Sequence, residues 1–328
     1  MAKAKKDTTS KFSTELKDAL AALNETYSDF RIGGINDAVG LNIEYVSTGS
    51  LALDAVLGGG YAAGKLVELY GSESLGKSTL AITFLAGFAG KPTLYVDHEQ
   101  SISPDYMAAL GVDLDNLIVT QPSNIEHGLD VVEKLCTKVS AVVFDSIAEA
   151  ATQRELEGSL TDQDIGVKAK ILSKFIRKMK SIKHDAVLLF INQVRENPGG
   201  YGVTRVVPGG KAFKFGSHMR IDIYGKEDIK KGETVIGHFL LAKVTKNKLN
   251  IPYLKCRIPL LYNGKGISRE MEVIDLAIEC GILEKAGSWI KYDGTSLAQG
   301  VEGCRVMLVD NPELRQELEA KIKDKLSQ

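Results

Sequence analysis

The chain has no apolar run near the ~18 residues that cross a bilayer, so nothing in it reads as a membrane span. It has one tryptophan, eight prolines and only four cysteines. Cys136, Cys256, Cys280 and Cys304 lie far apart, with no C-x-x-C pair and none at zinc spacing from a histidine. That pattern excludes a disulfide framework or a zinc ribbon and leaves four reduced thiols, as expected in a cytoplasmic protein. There is no excess of either charge. Against 41 Lys and Arg stand 42 Asp and Glu, a net charge of −1, so contact with a polyanion must come from local clustering. Residues 1–11 are polar and lysine-rich without an apolar core, so no secretory signal is expected. No internal repeat or low-complexity tract appears. With 44% hydrophobic and 25% charged residues in 328, the chain reads as an ordinary globular protein of one large domain with appendages, or of two domains.

What is present is a phosphate loop. Residues 71–79 read Gly71-Ser72-Glu73-Ser74-Leu75-Gly76-Lys77-Ser78-Thr79, the pattern G-x-x-x-x-G-K-S. An apolar run, Leu66 to Tyr70, suits a strand before it, and Ser78 to Ala86 suits a helix after it. Strand, glycine loop and helix are what the motif needs to hold a nucleoside triphosphate. Gly71 and Gly76 let the backbone N–H groups curl toward phosphate oxygens, and the helix start adds its positive end. Lys77 would neutralise the β and γ phosphates, and Ser78 would hold Mg²⁺. The plain alternative, a glycine-rich turn without a ligand, leaves the Lys and Ser unexplained.

Strand and helix signals alternate from residue 45 onward: strands over 92–97, 117–119, 141–145 and 186–191, helices over 104–110, 125–138 and 167–183. Continuous apolar strands separated by helices predict an α/β fold with a mostly parallel sheet covered on both faces. After residue 219 longer strands are expected over 220–224, 235–246 and 254–261, extending the sheet antiparallel, with a turn at Glu227 to Gly232. Residues 12–30 carry a short amphipathic helix, which packs on its own core or on a neighbouring subunit. Residues 269–328 form a small α/β unit with a last helix opened at Asn311-Pro312. The expected division is an N-terminal arm over 1–35, an ATPase core over 36–268 and a small domain over 269–328.

Three features narrow the chemistry. Asp145 ends an apolar strand and is placed to act on Mg²⁺ beside the phosphate loop; a turn-capping Asp is the bland reading. Glu99 follows the 92–97 strand, taken to adjoin the phosphate-loop strand, and is the preferred base for an attacking water. Asp97, on the same face by strand period, is the runner-up, and His98 reads as a surface residue. Gln193 ends the 186–191 strand run, and about fifteen structureless residues rich in Gly and charge follow it, to Gly210. An amide at that place can sense a γ-phosphate and change the order of the loop; a mobile surface loop is the alternative. Helix 167–183 carries Lys168, Lys170, Lys174, Arg177, Lys178, Lys180 and Lys183 with no acid. With Lys243, Lys246 and Lys248 it could meet a phosphate backbone or a subunit, though a solvated lysine face is the usual reason for such a run.

Together these residues resemble the RecA recombinase family of bacteria and phages, over about residues 45–325. The carriers are Ser47-Thr48-Gly49-Ser50-Leu51 with Asp54, the phosphate loop, Val96-Asp97-His98-Glu99, Leu110-Gly111-Val112-Asp113, Val143-Phe144-Asp145-Ser146, Glu157-Gly158, Ile191-Asn192-Gln193-Val194-Arg195, Gly209-Gly210 before Ala212-Phe213-Lys214-Phe215, Lys246-Asn247-Lys248 and Glu284-Lys285-Ala286-Gly287. The resemblance implies a RecA-like P-loop ATPase core with a short N-terminal helix and a small C-terminal α/β domain. It implies ATP and Mg²⁺ as cofactors, held by residues 71–79 and Asp145, with Tyr106 stacking on adenine, Tyr262 near the nucleotide and Glu99 as base. Gln193 would couple the γ-phosphate to DNA. Two DNA-binding loops are implied, one with Glu157, Gly158 and Ile165, the other with Arg195, Asn197, Gly199, Tyr201, Arg205, Val206, Gly209, Gly210 and Lys211. Lys246 and Lys248 would reach the ATP of a neighbour, with Lys214 and Phe215 at that interface, and the N-terminal helix would dock on the adjacent protomer of a helical filament. The partners implied are single-stranded DNA, homologous duplex DNA and further copies of the chain.

The sequence departs from the family in places. Ile165 stands where many bacterial members carry methionine. Residues 196–199 differ from the bacterial loop, so Tyr201, Val206 and Val207 all stay candidates for insertion between bases. Ser103 replaces an acid near adenine, Asn263 is an extra residue, and the long acidic tail of the family is not expected. The leading expectation is an ATP-dependent strand-exchange protein. A helicase-like or ring ATPase on the same core is the runner-up, and a scaffold that binds ATP without turnover is the third reading, against which Glu99 argues.

Overall fold

Buried apolar runs become adjacent parallel strands in the computed structural model, which describes residues 12–27, 43–159, 166–197, 204–262 and 264–326. The chain divides into two compact units, Met1–Glu44 and Tyr45–Gln328. In the first, a helix spans Thr14–Thr26, and the Ser13 hydroxyl caps it by accepting from the Leu16 N–H at 3.3 Å. Phe12, Leu16, Leu23 and Tyr27 are exposed, and no residue of this helix is buried.

The second unit is built on a nine-stranded sheet. Its strands, in chain order, are β1 (Leu66–Gly71), β2 (Thr93–Asp97), β3 (Leu117–Thr120), β4 (Ala141–Asp145), β5 (Val187–Gln193), β6 (Met219–Lys231), β7 (Thr234–Asn247), β8 (Lys255–Leu261) and β9 (Gly266–Ile267). They lie in the order β9-β8-β7-β6-β1-β5-β4-β2-β3. The six from β6 to β3 run parallel, and β7, β8 and β9 extend the sheet antiparallel, as expected. Every residue of β1, β2, β4 and β5 is buried, the signature of a sheet covered on both faces. One face packs under helices Ile125–Leu135 and Val167–Ser181, with Phe144, Phe190 and Phe213 at its centre and ring centroids 5.1 and 5.0 Å apart. Among the described residues no helix is long and apolar enough to cross a membrane.

Three expectations need correction. β2 does not adjoin β1: β4 and β5 lie between them, because the apolar runs alone carry no strand order. Glu227 to Lys231 are strand rather than turn; the chain reverses at Gly232-Glu233, where Gly232 adopts φ of 61° and Lys231 pairs with Thr234. The charged residues alternate across a protruding ribbon instead of forming a loop. The stretch after Gln193 is not structureless, for Arg195–Asn197 pairs antiparallel with Thr204–Val206; residues 198–203 lie outside the described set.

The C-terminal elements have their own small core. Helix Arg269–Glu279, a three-stranded antiparallel sheet over residues 283–299, and helices Gly300–Asp310 and Pro312–Leu326 enclose Ile274, Leu283, Ile290, Leu308 and Leu318. Asn311 accepts from the Leu314 N–H at 3.2 Å, opening the last helix where the sequence places it. Glu272 joins these elements to the sheet unit. Its buried carboxylate accepts from the Ser50 hydroxyl and from the Leu51 N–H at 2.9 Å, at the start of helix Leu51–Leu57.

Candidate nucleotide and nucleic-acid site

The phosphate loop leaves β1 at Gly71, where a Cβ would sit 2.3 Å from the Ile223 carbonyl oxygen, so only glycine fits. Ser74 and Gly76 both take positive φ, 55° and 92°, and the helix Lys77–Ala86 begins directly after. Lys77 is buried, and its Nζ donates to the Ser72 carbonyl at 2.7 Å. Burial pushes its pKa down, while Asp145, Glu99 and Glu73 pull it back up. The loop opens on a cleft of about 600 Å³ lined by Glu73, Ser74, Gly76, Lys77, Ser78, Thr79, His98, Glu99, Glu149 and Gln193. Leu75 is buried beneath the loop, and Ser72 is engaged by Lys77 through its carbonyl. Tyr106 reaches this helix, its hydroxyl 2.9 Å from Thr79 Oγ1. Ser103 caps the helix that carries it. Tyr262 is partly exposed, with its hydroxyl 3.3 Å from His238 Nδ1.

Acids converge on Lys77 from the carboxyl ends of the strands. Asp145 is buried and accepts from the Tyr95 hydroxyl at 2.7 Å on Oδ2. Burial, then Glu99, raise its pKa to about 6, and the hydroxyls of Ser78 and Tyr95 pull the other way. Its Oδ1 is buried with no hydrogen-bond partner among the described residues. An orphaned carboxylate oxygen on Asp145 and the Ser78 hydroxyl lining the cleft are oxygen donors of the kind a hard divalent cation such as Mg²⁺ takes, while among the described residues no three acids are grouped to hold a metal by themselves. Glu99 and Asp97 do not share a strand face, since β2 ends at Asp97 and Glu99 stands beyond it. Asp97 is buried and accepts from Gln121 Nε2 at 2.9 Å, off the cleft, whereas Glu99 lines it.

His98 is not a surface residue. Its ring lies 4.9 Å from that of Phe144 and lines the cleft, and burial, with Lys168 nearby, pushes its pKa down to about 4. The peptide at His98 is drawn inward by its N–H, which donates to the Asp145 carbonyl at 2.6 Å. Glu149, which sequence reasoning passed over, stands on the same cleft. Glu149 belongs to no motif, and His98, inside the Val96 to Glu99 motif, is given no role by it; only the closure of the chain around the loop brings both there.

Gln193 ends β5 with its amide pointing across to Glu99, Nε2 to Oε1 at 3.2 Å. Arg195, exposed, starts the antiparallel ribbon; Asn197 and Arg205 lie in its two strands, and Val206 is exposed. Gly209 and Gly210 take φ of 84° and 67° and lie close against Leu172 and Ala169 of helix Val167–Ser181. Lys211 is exposed before helix Ala212–Gly216. Glu157 and Gly158 end the short helix Gln153–Glu157, which a Thr152–Glu155 capping box opens. Ile165, Gly199, Tyr201 and Asn263 lie outside the described residues. The basic helix is less bare than its sequence reads, for Lys178 pairs with Glu133 of the neighbouring helix at 2.5 Å.

Lys246 and Lys248 do not line their own cleft. Lys246 pairs in register with Arg220, which pairs with Glu68, near the start of β1 and away from the phosphate-loop end. Lys246 Nζ donates to the carbonyls of Lys214 and Phe215 at 2.8 and 3.1 Å, and burial with Lys248, Arg220 and Lys180 nearby pushes its pKa down to about 8. Phe215 itself is 65% exposed.

A phosphate loop on the second strand of a parallel run, acids at the carboxyl edge and an antiparallel extension define a RecA-like P-loop ATPase. Residues 14–268 match the family model of the RecA N-terminal domain and residues 271–327 that of the RecA C-terminal domain. Protein RecA of Paenarthrobacter aurescens (strain TC1) is 40% identical over 319 residues, 95% of this chain and 92% of that one. Protein RecA of Staphylococcus aureus (strain JH9) is 35% identical over the same shares. The crystal structure of the RadB recombinase aligns with a TM-score of 0.52 at 24% identity, over 68% of this chain and 98% of that chain, a likeness of fold. The chain belongs to the RecA family, and with it to the ATP-dependent recombinases, which are DNA-dependent ATPases. The helicase-like or ring-ATPase alternative is not favoured.

Proposed function

We propose that the protein polymerises on single-stranded DNA with ATP at each seam between protomers, and that the filament pairs its strand with a homologous duplex and exchanges strands. The observation that carries this reading is the position of Lys246 and Lys248. They stand away from their own cleft at the far end of β7, Lys248 exposed and Lys246 half-buried with its Nζ on the Lys214 and Phe215 carbonyls, where a neighbour's triphosphate would find them. The exposed apolar stripe of helix Thr14–Thr26 supports an N-terminal arm (1–35) that docks on a second copy, next to a core (36–268) and a small domain (269–328).

In this reading residues 71–79 hold the triphosphate through backbone N–H groups, and Lys77 offsets its charge. Ser78 and Asp145 would hold Mg²⁺, which supplies charge neutralisation at the transferring phosphoryl group. Tyr106 stacks on adenine, and Tyr262 lies near the nucleotide. Glu99 takes the proton from the attacking water, and Gln193 passes the state of the γ-phosphate to the ribbon that starts at Arg195. Glu157, Gly158 and Ile165 of one loop, and Arg195, Asn197, Gly199, Tyr201, Arg205, Val206, Gly209, Gly210 and Lys211 of the other, meet DNA largely through its backbone, so binding is salt-sensitive and nearly sequence-independent. The chain acts in the cytoplasm. ATP hydrolysis measured with and without single-stranded DNA, alongside joint-molecule formation with a homologous duplex, tests the reading. Stimulated hydrolysis and joint molecules support it; equal rates with no joint molecules overturn it.

A further inference from the structure

The sheet interior holds a charge that the nucleotide site does not use. Glu68 of β1 is fully buried, and its Oε2 accepts from Arg220 Nε at 2.5 Å. Its Oε1 accepts from Asn192 Nδ2 at 3.1 Å, and the same amide donates to the Pro208 carbonyl at 3.0 Å. The Arg220 guanidinium lies over the Tyr70 ring, 4.5 Å from its centroid. Thr245 Oγ1 donates to the Arg220 carbonyl at 3.2 Å, which leaves the Tyr70 hydroxyl to donate to Thr245 at 2.9 Å. An ion pair in such a place is rarely more stabilising than apolar packing would be, so stability alone is a weak reason for it.

We infer that the Glu68–Arg220 pair, with Asn192, Tyr70 and Thr245, is a positioning element that ties the base of the second DNA loop to the strand bearing Lys246 and Lys248. Each end of the chain of bonds stops one residue short of a functional group. Asn192 precedes Gln193, Pro208 precedes Gly209-Gly210, and Thr245 precedes Lys246. Asn192 uses both amide hydrogens on the two sides, and its Oδ1 accepts from the Gln193 N–H at 3.0 Å. A shift of the loop base therefore cannot leave Glu68 fixed without breaking a buried hydrogen bond, and a shift of Glu68 moves Arg220 against β7. In a water-poor interior such bonds are made or lost as a set. The consequence is that DNA on the loop and a phosphate under the lysines report to each other within one protomer. This inference rests on the DNA-loop and trans-lysine reading above.

The test uses Tyr70→Phe and Thr245→Val in the full-length protein. Both keep shape and leave the Glu68–Arg220 charges paired; Tyr70→Phe removes the Tyr70–Thr245 bond alone, and Thr245→Val removes that bond together with the one to the Arg220 carbonyl. DNA-stimulated kcat should fall about 3- to 10-fold, with the DNA-free rate, the nucleotide Kd and the thermal midpoint close to wild type. The double variant should lose no more than the worse single one, since both cut the same link. A merely structural role would lower the midpoint and both rates together, and that outcome, or unchanged stimulation in both variants, overturns the inference. Wild-type protein that ignores DNA altogether would instead overturn the reading beneath it.

Discussion

Gln193 donates its side-chain amide to the Glu99 carboxylate at 3.2 Å across the mouth of the cleft. Two proposed roles, the base and the sensor of the γ-phosphate, thus share one contact. In the proposed reading, a phosphate oxygen that attracts the amide would free the carboxylate for water, and the same rotation would pull on the backbone that leads into the Arg195 ribbon.

Glu99→Gln removes the proton acceptor and keeps the shape. Its kcat for hydrolysis should drop about 10²- to 10⁴-fold, while nucleotide binding and ATP-dependent DNA binding persist. Phosphate release and DNA anisotropy on the same preparation check this. Turnover left intact would move the base elsewhere, and Asp97 is a poor second because it is buried against Gln121.

Gln193→Ala leaves the phosphate loop whole, so the nucleotide Kd should stay within about threefold of wild type, as a lost neutral contact allows. Stimulation of hydrolysis by single-stranded DNA should vanish. A steady-state assay over a DNA titration reads both. Weakened nucleotide affinity with normal stimulation would make Gln193 a binding group rather than a coupling one.

Glu272 carries a pH dependence of stability. Burial raises its pKa to about 7 from an ordinary 4.5, against the pull of Ser50, the Leu51 N–H and Arg269. Burial also raises the pKa of Asp54, which accepts from Ser47 and Thr48 in the same region. The folded state holds the Glu272 proton more tightly than the unfolded chain, so this contribution is complete below about pH 4.5 and is lost as pH rises toward 7. Thermal midpoints from pH 5 to 8 should decline in the wild type. Glu272→Gln, uncharged throughout, should be less stable at pH 5, because its NH₂ faces a backbone donor, and flatter across the range. An equally steep decline in the variant would assign the slope to other groups.

Local pattern carries much of this site and little of its frame. The phosphate loop, the acid at the end of β4 and the amide at the end of β5 are legible because each joins a residue type to a strand end, a local feature. The order of the strands is not, and so β2 is misplaced beside β1 when read from apolar runs. His98 sits among polar neighbours in sequence and only the packing of Phe144 shows it inside. The Glu68–Arg220 and Glu272–Ser50 contacts join residues 152 and 222 positions apart, and single charged residues in ordinary strands and helices give no sign of them. The turn beyond β6 is misread for the opposite reason: charged residues usually mark loops, but an exposed ribbon needs them on both faces.

The central claim is that ATP is completed by lysines from the next protomer. Mixing two inactive variants, Glu99→Gln and Lys246→Ala, in equal amounts on single-stranded DNA tests it most directly. At a head-to-tail seam, a Lys246→Ala protomer supplies an intact Glu99 and its Glu99→Gln neighbour an intact Lys246, so random mixing restores about a quarter of the seams. The expected result is hydrolysis recovered to about that share of the wild-type rate, with neither variant active alone. A mixture as silent as its parts would place Lys246 at its own nucleotide, or at none, and contradict the account.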